Sequence, residues 1–296
     1  MRNVLVIGAT GTVGGAALSR LQELATKISL NPIAAVRSEE QRAAMRDRGI
    51  EARYLDLDNP ASIAAALADV HGVLLLTGYS VDMLKQSKRV VDEAKRQRVD
   101  HIVHVGASGN PTAEVAHWGW HRMIEAYIEQ QGLGFTHLQP EAYMQNVTSF
   151  GWLQEDHLVN LIGDATWSWV DARDVGKLAA ACLARPEDHM GKTYRLGYEA
   201  ESIPGLAARL GERKSRPLVT RPKDPDAFYR EAVNAGADPA YMDCVRTQFH
   251  LNAAGAIQDS DAVFDAAEFA AITGTKPVSW DTFIDEQIGG GQSIAA

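Results

Sequence analysis

Three glycines near the start of the chain, Gly8, Gly11 and Gly14, follow directly on an apolar run over residues 3–7 and lead into a helix-like segment over residues 15–27. The first glycine permits a tight turn, the second leaves no Cβ in the way of phosphates, and the third lets the helix pack close to the strand. The helix N-terminus then offers free N–H groups and a positive dipole end. This pattern predicts a turn that binds a dinucleotide through Gly8, Thr10, Gly11, Thr12, Val13 and Gly14.

The residue at the end of the second expected strand favours NADP(H) over NAD(H). An acidic side chain there would hold the ribose 2′-hydroxyl of NAD, whereas this chain has Arg37. A guanidinium can bind a 2′-phosphate and stack on adenine. The neighbouring Glu39 and Glu40 would weaken this preference, and an arginine exposed to solvent is the alternative interpretation.

Further cofactor contacts are expected where the later strands end, because ligands of such sheets bind at the carboxyl ends of the strands. Asp56 either accepts a hydrogen bond from the adenine amino group or caps the next helix. The other expected contacts are Leu57, Thr77, Gly78, Gly106, Ala107, Ser108 and Pro140.

The Tyr-x-x-x-Lys pair of typical short-chain dehydrogenases is missing from this chain. No tyrosine is followed by a lysine four residues on, and the first lysine after residue 105 is Lys177. This argues against carbonyl–alcohol interconversion by a tyrosine base. His121, in the helix expected over residues 115–131, is a candidate proton donor. The alternative is a helix histidine paired with Glu125.

The neighbourhood of His121 supplies the other candidates for the site. Trp118 and Trp120 would form an aromatic wall over a flat substrate or pack the covering lobe. Tyr143, also a catalytic candidate, and Asn146 would contact substrate or nicotinamide, with core packing and helix capping as alternatives. His117, His121 and Glu125 share a helix face, but a His-Glu-x-x-His motif is missing, so we expect no metal.

Short apolar strands separated by helices predict a doubly wound parallel α/β sheet of the Rossmann type. Expected strands cover residues 32–36, 52–55, 72–76, 101–105 and 134–138, and expected helices cover 39–48, 60–68, 81–98 and 115–131. After residue 150 we expect strands over 166–170 and 192–197 and helices over 171–184, 203–210, 224–235, 239–253, 262–272 and 280–287.

These patterns divide the chain into a nucleotide-binding domain over residues 1–155, onto which 164–186 packs back, and a smaller, mostly helical lobe over 187–288 that covers the substrate. A flexible tail over 289–296 follows. Trp167 and Trp169 share a strand face and are expected to pack. Asp171, Arg173 and Asp174 are expected to form a structural group of caps and ion pairs.

Composition restricts the class of protein. The chain has 296 residues, 46% of them hydrophobic, and a net charge of −9. The acidic balance argues against nucleic acid and anionic membranes as partners. No apolar run reaches the length of a membrane span, and a strand begins by residue 3, so we expect no signal peptide and a cytoplasmic location. Cys182 and Cys244 are expected to be buried thiols in a reducing compartment.

The sequence resembles the NmrA-like group of atypical short-chain dehydrogenases/reductases over nearly its whole length, to about residue 287. The residues that carry this are Gly8-Ala9-Thr10-Gly11-Thr12-Val13-Gly14, Ala35-Val36-Arg37, Val105-Gly106-Ala107-Ser108, His121-Arg122-Met123-Ile124-Glu125, Phe135-Thr136-His137-Leu138-Gln139-Pro140, Tyr143-Met144-Gln145-Asn146, Val170-Asp171-Ala172-Arg173-Asp174-Val175 and Gly191-Lys192-Thr193-Tyr194. The family usually has arginine before the proline at position 140, where this chain has Gln139.

The resemblance implies NADP(H) binding and no metal, and it leaves the reaction open. Related enzymes have a lysine or histidine facing the nicotinamide ribose at the position of His121, so the resemblance also implies a contact between His121 and that ribose. The family includes quinone reductases, triphenylmethane-dye reductases and regulators that bind NADP without turnover. We expect an NADPH-dependent oxidoreductase, a monomer or homodimer, that reduces a small flat or conjugated electrophile such as a quinone. A cofactor sensor and an imine- or alkaloid-type reductase are the alternatives.

Overall fold

The structure is a computed structural model that describes residues 1–110, 112–257 and 263–288. The expected tail over 289–296 lies outside these ranges, as does the first residue of the helix expected over 262–272. Within them the elements, in chain order, are β1 (Arg2–Val6), α1 (Thr12–Ala25), β2 (Leu30–Val36), α2 (Glu39–Asp47), β3 (Glu51–Tyr54), α3 (Pro60–Ala66), β4 (Gly72–Leu75), α4 (Met83–Arg96), β5 (His101–Val105), α5 (Ala116–Gln130), β6 (Gly134–Pro140), β7 (Ala142–Tyr143), α6 (Asn146–Ser149), β8 (His157–Asn160), β9 (Thr166–Val170), α7 (Ala172–Ala184), α8 (Pro186–His189), β10 (Lys192–Leu196), β11 (Glu199–Ser202), α9 (Ile203–Arg213), β12 (Val219–Pro222), α10 (Pro225–Asn234), α11 (Pro239–Ala253), α12 (Ala266–Thr273) and α13 (Trp280–Ile288).

The main sheet of the described chain is parallel and has seven strands in the order β10-β6-β5-β4-β1-β2-β3. Its central strands are buried on both faces because helices cover each side. Alternate residues of β1 show this directly: Val4 and Val6 belong to one hydrophobic core, and Leu5 to the core on the opposite face. The predicted doubly wound Rossmann sheet is confirmed.

A third hydrophobic core lies under the C-terminal helices. The two expected packing tryptophans of β9, Trp167 and Trp169, are buried here with ring centroids 5.5 Å apart. Trp152, Phe249 and Trp280 pack around them. The strand expected over 166–170 is confirmed, and it joins a three-stranded sheet with β7 and β11. Those two partners, like the β8–β12 pair, are too short and too mixed in composition to stand out in the sequence.

One strand lies in a different place from the one expected. The predicted boundary at residue 187 assigned residues 192–197 to the covering lobe, but β10 pairs in parallel with β6 and extends the main sheet. Tyr194 and Leu196 of this strand are buried in the same core as Val4 and Val6. The sequence pattern marked the strand correctly, but the open backbone groups at the edge of β6 decide which sheet it joins.

Helix α7 packs closely on α1, and Gly176 makes this approach possible. A Cβ added at Gly176 would lie 2.4 Å from the carbonyl oxygen of Val13 and 2.8 Å from the Cβ of Ala16. The start of α7 forms the expected group of caps and ion pairs. Asp171 accepts from the backbone N–H of Arg173 at 2.7 Å and also pairs with its guanidinium.

The same group ties the C-terminal helices to α7. Arg173 pairs with Glu286 of α13 at 2.6 Å, and buried Asp174 accepts from the backbone N–H of Val278 at 2.6 Å and from Lys177. Cys182 and Cys244 are free and buried, as expected. In the described ranges, no helix has both the length and the apolar composition that a membrane span needs.

We predict that Gly176→Ala lowers the free energy of unfolding by about 1–3 kcal/mol, because the added methyl group forces α7 away from α1. Gly119→Ala in α5 is the matched control, since a Cβ there meets no atom within 4 Å. That variant should be unchanged or more stable by up to about 1 kcal/mol, because alanine favours helix. Urea unfolding measures both, and equal stabilities would contradict the packing argument.

Candidate functional site

The expected cofactor residues lie along one edge of the main sheet. Parallel strands β1 to β6 end at this edge, and each expected contact follows or closes one of them. Because this is the edge where ligands of doubly wound sheets bind, the topology brings the expected residues to one side of the molecule. His121 is different, since it lies inside α5, within the second turn of that helix.

The glycine turn has the geometry that the spacing predicts. Gly8 has a positive φ of 74°, and a Cβ added at Gly14 would lie only 2.1 Å from the carbonyl oxygen of Gly8. At Gly11 an added Cβ would have only that same oxygen nearby, at 3.5 Å, and would otherwise point into open space. Gly14 therefore serves the packing of helix on strand, whereas Gly11 keeps an exposed face of the turn open.

The N-terminus of α1 is left without a cap from the protein. Among the described residues no side chain accepts from its first turn, and that turn contains no acidic residue. By contrast, Ser38 caps α2 and Asn59 caps α3 through side-chain oxygens. An exposed helix N-terminus with free N–H groups beside a glycine turn is suited to a pyrophosphate.

Arg37 is exposed directly after β2, and its guanidinium has no hydrogen-bond or ion-pair partner among the described residues. Only its backbone N–H is engaged, by donating to the side chain of Gln41. The nearby Glu39 pairs with Arg42 at 3.4 Å and does not pair with Arg37. The guanidinium is therefore available for an anionic ligand at this edge.

Asp56 does not cap α3, because Asn59 performs that role by accepting from the N–H of Ala61. The Oδ1 atom of Asp56 accepts from the N–H of Asp58 at 2.9 Å and so closes the turn after β3. The capping alternative is therefore wrong in detail, and a contact with the adenine amino group stays a prediction.

His121 is buried, with 8% of its surface exposed, and its ring centroid lies 5.7 Å from that of His104. Burial, together with nearby His117, lowers the pKa of His121 to about 3. The ring is neutral near pH 7 and carries no extra proton to donate, which argues against the imidazolium acid considered from the sequence. His121 and Glu125 form no hydrogen bond or ion pair within the described residues, so the alternative of a His121–Glu125 pair is wrong.

Glu125 instead accepts from Gln139, whose amide nitrogen lies 2.9 Å from both carboxylate oxygens. Gln139 stands where the family usually has arginine, and its neutral amide orients the carboxylate without neutralising its charge. Burial raises the pKa of Glu125. The sequence placed one possible metal-binding set on a helix face: His117, His121 and Glu125. In the described part of the chain these three side chains do not form a metal-ligating group.

Trp118 and Trp120 do not form one wall. Trp118 packs with Val115 and Ile257 and lies against Gly109, where an added Cβ would meet its ring at 2.1 Å. Trp120 packs on the opposite side, against the core under β4 and β5. Two residues apart on a helix differ by about 200° in direction, which explains the separation.

A different group of aromatic rings lies beside this edge, and we call it the aromatic cluster: Tyr79, His117, Trp120 and Tyr241. Tyr241 is its centre, with ring centroids 5.5 Å from Tyr79, 5.3 Å from His117 and 6.3 Å from Trp120. Sequence reasoning missed Tyr79 although it follows the end of β4. Nothing in the sequence indicated that Tyr241, on the distant α11, would join it.

Tyr143 lies close enough to Tyr79 and Tyr241 to interact with them electrostatically. Burial, with a smaller contribution from those two phenols, raises the pKa of Tyr143 well above its ordinary value. It is therefore a neutral phenol, and a phenolate base at this position is disfavoured. Asn146 is half-buried at the start of α6, and its side chain has no hydrogen-bond partner within the described residues, so helix capping is not its role.

The sheet order, the glycine turn and the uncapped helix together define a Rossmann-type nucleotide-binding protein. The chain belongs to the NmrA-like family, whose sequence model matches residues 1–273. A curated relative, the NAD(P)H azoreductase of Xenophilus azovorans, is 28% identical over 219 residues, which cover 73% of this chain and 75% of the relative.

Solved structures share this fold over almost the whole chain. The triphenylmethane reductase of Citrobacter sp., solved with NADP(H), has a TM-score of 0.80 at 22% identity and covers 97% of this chain and 100% of its own. The NADPH-dependent quinone oxidoreductase of Escherichia coli, solved with NADPH, has a TM-score of 0.79 at 20% identity and covers 97% of this chain and 99% of its own.

We predict that Gly11→Val abolishes cofactor binding while the protein stays folded, because the branched side chain fills the open face of the turn. Gly14→Ala is the contrasting control: its methyl group meets the Gly8 carbonyl at 2.1 Å and should lower the melting temperature itself. Fluorescence titration with NADPH and thermal unfolding separate the two effects. Tight NADPH binding by folded Gly11→Val would place the cofactor elsewhere.

Burial of His117 makes the fold sensitive to acid. Its pKa is lowered from 6.5 to about 4, so the unfolded chain takes up a proton first as the pH falls. The stability contribution is fully present above pH 6.5 and is lost between pH 6.5 and 4, at about 1.4 kcal/mol per pH unit. Urea unfolding at pH 7.5 and pH 5 should show His117→Phe losing less stability than the wild type. Equal losses would contradict the assignment.

Proposed function

We propose that this member of the NmrA-like family is an NADPH-dependent oxidoreductase that transfers hydride to a small, flat, conjugated electrophile such as a quinone. The observation that carries the proposal is the aromatic cluster beside the ends of β4 and β5. In a Rossmann fold the glycine turn after β1 takes the pyrophosphate, and the nicotinamide half extends towards those strands. Flat aromatic acceptors would stack beside it.

The cofactor part rests on three features of the same edge. The exposed turn at Gly11 and the uncapped N-terminus of α1 suit a pyrophosphate. The unpaired guanidinium of Arg37 suits a 2′-phosphate. The loop Gly106–Ser108 and Pro140 were expected from the sequence as cofactor contacts, and we assign them to the nicotinamide side because they follow or close β5 and β6.

The names of the similar proteins support the substrate class. Azo compounds, triphenylmethane dyes and quinones are all conjugated, electron-poor acceptors, although each name concerns another protein. Such acceptors need little acid catalysis, and the site here offers little. His121 is neutral, and Tyr143 has a raised pKa and no lysine partner. The protein would orient the nicotinamide against the acceptor, and solvent would supply the proton after the hydride has been transferred.

We place the protein in the cytoplasm, as a monomer or homodimer that acts on a small molecule. The two free, buried thiols support a reducing compartment. The net charge of −9 disfavours nucleic acid and anionic membrane surfaces as partners.

Preference for NADPH is tested by Arg37→Ala. Loss of a charge-assisted phosphate contact should weaken NADPH binding by about 1.5–3 kcal/mol and leave NADH binding nearly unchanged. Arg42→Ala is the matched control, because Arg42 lies on the same exposed segment but pairs with Glu39. Dissociation constants for both cofactors decide the point, and equal wild-type affinity for NADPH and NADH would refute the preference.

The activity itself is tested by NADPH oxidation with quinones, azo and triphenylmethane dyes, enones and imines. We expect turnover with the flat conjugated acceptors and a raised KM in Tyr241→Ala, with NADPH affinity unchanged. Cofactor binding without turnover of any acceptor would favour a sensor. Turnover confined to cationic imines would favour the imine-reductase alternative.

A further inference from the structure

Three ionisable side chains converge inside the protein below the proposed nicotinamide loop. His104 on β5, Glu125 on α5 and His137 on β6 each offer one ligand atom, and these atoms all lie within 4.8 Å of one another. The three residues are 1%, 8% and 1% exposed. Neighbouring strands and the helix that joins them thus bring together two imidazoles and a carboxylate in one buried place.

The two imidazoles lack the partners that buried polar groups normally have. Both ring nitrogens of His104 are buried without a hydrogen bond, and so are both of His137. The Nε2 atom of His137 lies 3.3 Å from the exposed carboxylate of Glu129, without hydrogen-bond geometry. An unsatisfied buried polar group destabilises a fold. One nitrogen of each ring is therefore available to bind a ligand at this place.

The carboxylate of the set is oriented but not neutralised. Gln139 donates to both oxygens of Glu125, and a neutral amide supplies no counter-charge. Arg122 on the same helix is exposed, and its charge acts on Glu125 from outside the cluster. A cation bound between the three side chains would be coordinated by the carboxylate and by one nitrogen of each imidazole.

We propose that His104, Glu125 and His137 bind a divalent transition-metal ion, with zinc as the best match. Two imidazoles and one carboxylate are a common ligand set for zinc. Tetrahedral bonds of about 2.0–2.1 Å would place the ligand atoms about 3.3 Å apart, closer than the 4.8 Å within which they now lie, and a water would supply the fourth ligand. Gln139 would be the partner that orients the carboxylate.

The site would stabilise the part of the sheet edge that the cofactor needs. A Cβ added at Gly106 would lie 2.9 Å from Oε1 of Glu125 and 3.1 Å from Cε1 of His104, so this loop rests directly on the cluster. A metal here joins β5, α5 and β6 and stabilises the folded state by binding it. This proposal does not depend on the identity of the electron acceptor.

The test begins with full-length protein stripped by a chelator and then titrated with Zn²⁺ or Co²⁺. We expect one zinc per chain by elemental analysis, a higher melting temperature with zinc, and the visible absorption of tetrahedral Co²⁺. His104→Leu should abolish all three signals, yet its metal-free stability should match or exceed that of the wild type because an unpartnered polar group is removed. Gln139→Met should weaken zinc binding by about 10–100-fold.

Two further variants test whether zinc binds at the cluster of His104, Glu125 and His137 and not elsewhere on the protein. Glu125→Gln preserves the shape of the side chain and should also lose the Co²⁺ spectrum, which covers the case that His104→Leu does not fold. His250→Gln alters a separate group near the surface, formed by exposed Asp224 and His250 with half-buried Asp226, and should leave zinc binding intact. Three results would each overturn the proposal. The first is a wild type that binds no zinc, the second is zinc binding that survives both His104→Leu and Glu125→Gln, and the third is zinc binding that is lost in His250→Gln.

Discussion

The close approach of Gly14 to the carbonyl oxygen of Gly8 is the constraint on which the proposed cofactor-binding edge of the main sheet depends. A side chain at Gly14 would lie 2.1 Å from that oxygen and would push α1 away from β1. Because Gly14 of α1 lies directly against the turn at Gly8, the uncapped N-terminus of α1 is held over the end of β1. Helix α7 packs against α1 as well, and this close packing is possible because Gly176 of α7 has no side chain.

The second half of the chain is tied to this frame by polar contacts as well as by packing. Asp174 is buried and reaches the backbone of Val278, while Arg173 joins α7 to α13. These contacts hold the C-terminal helices in place, and α11 in turn carries Tyr241 to the aromatic cluster. The proposed acceptor site is therefore assembled from residues far apart in sequence, and its shape depends on packing between the two halves.

Burial determines which chemistry remains available beside Gly106–Ser108, the proposed nicotinamide loop. His121 is neutral, and Tyr143 is a phenol whose pKa is raised, so neither resembles the activated groups of typical short-chain dehydrogenases. This favours acceptors that accept hydride without a strong acid. Below the loop, the same burial leaves His104 and His137 without hydrogen-bond partners, which is the basis for the proposed metal site.

Local sequence determined the parallel sheet and the glycine turn, because strand and helix periodicity and the backbone freedom of glycine act over a few residues. The ion-pair group at Asp171 and the exposed position of Arg37 follow from the same short-range rules. The sheet to which β10 belongs, the partner of Glu125 and the position of Tyr241 were decided by the tertiary structure. These depend on open strand edges, buried charge and packing between distant segments, and a single sequence carries no local pattern for such contacts.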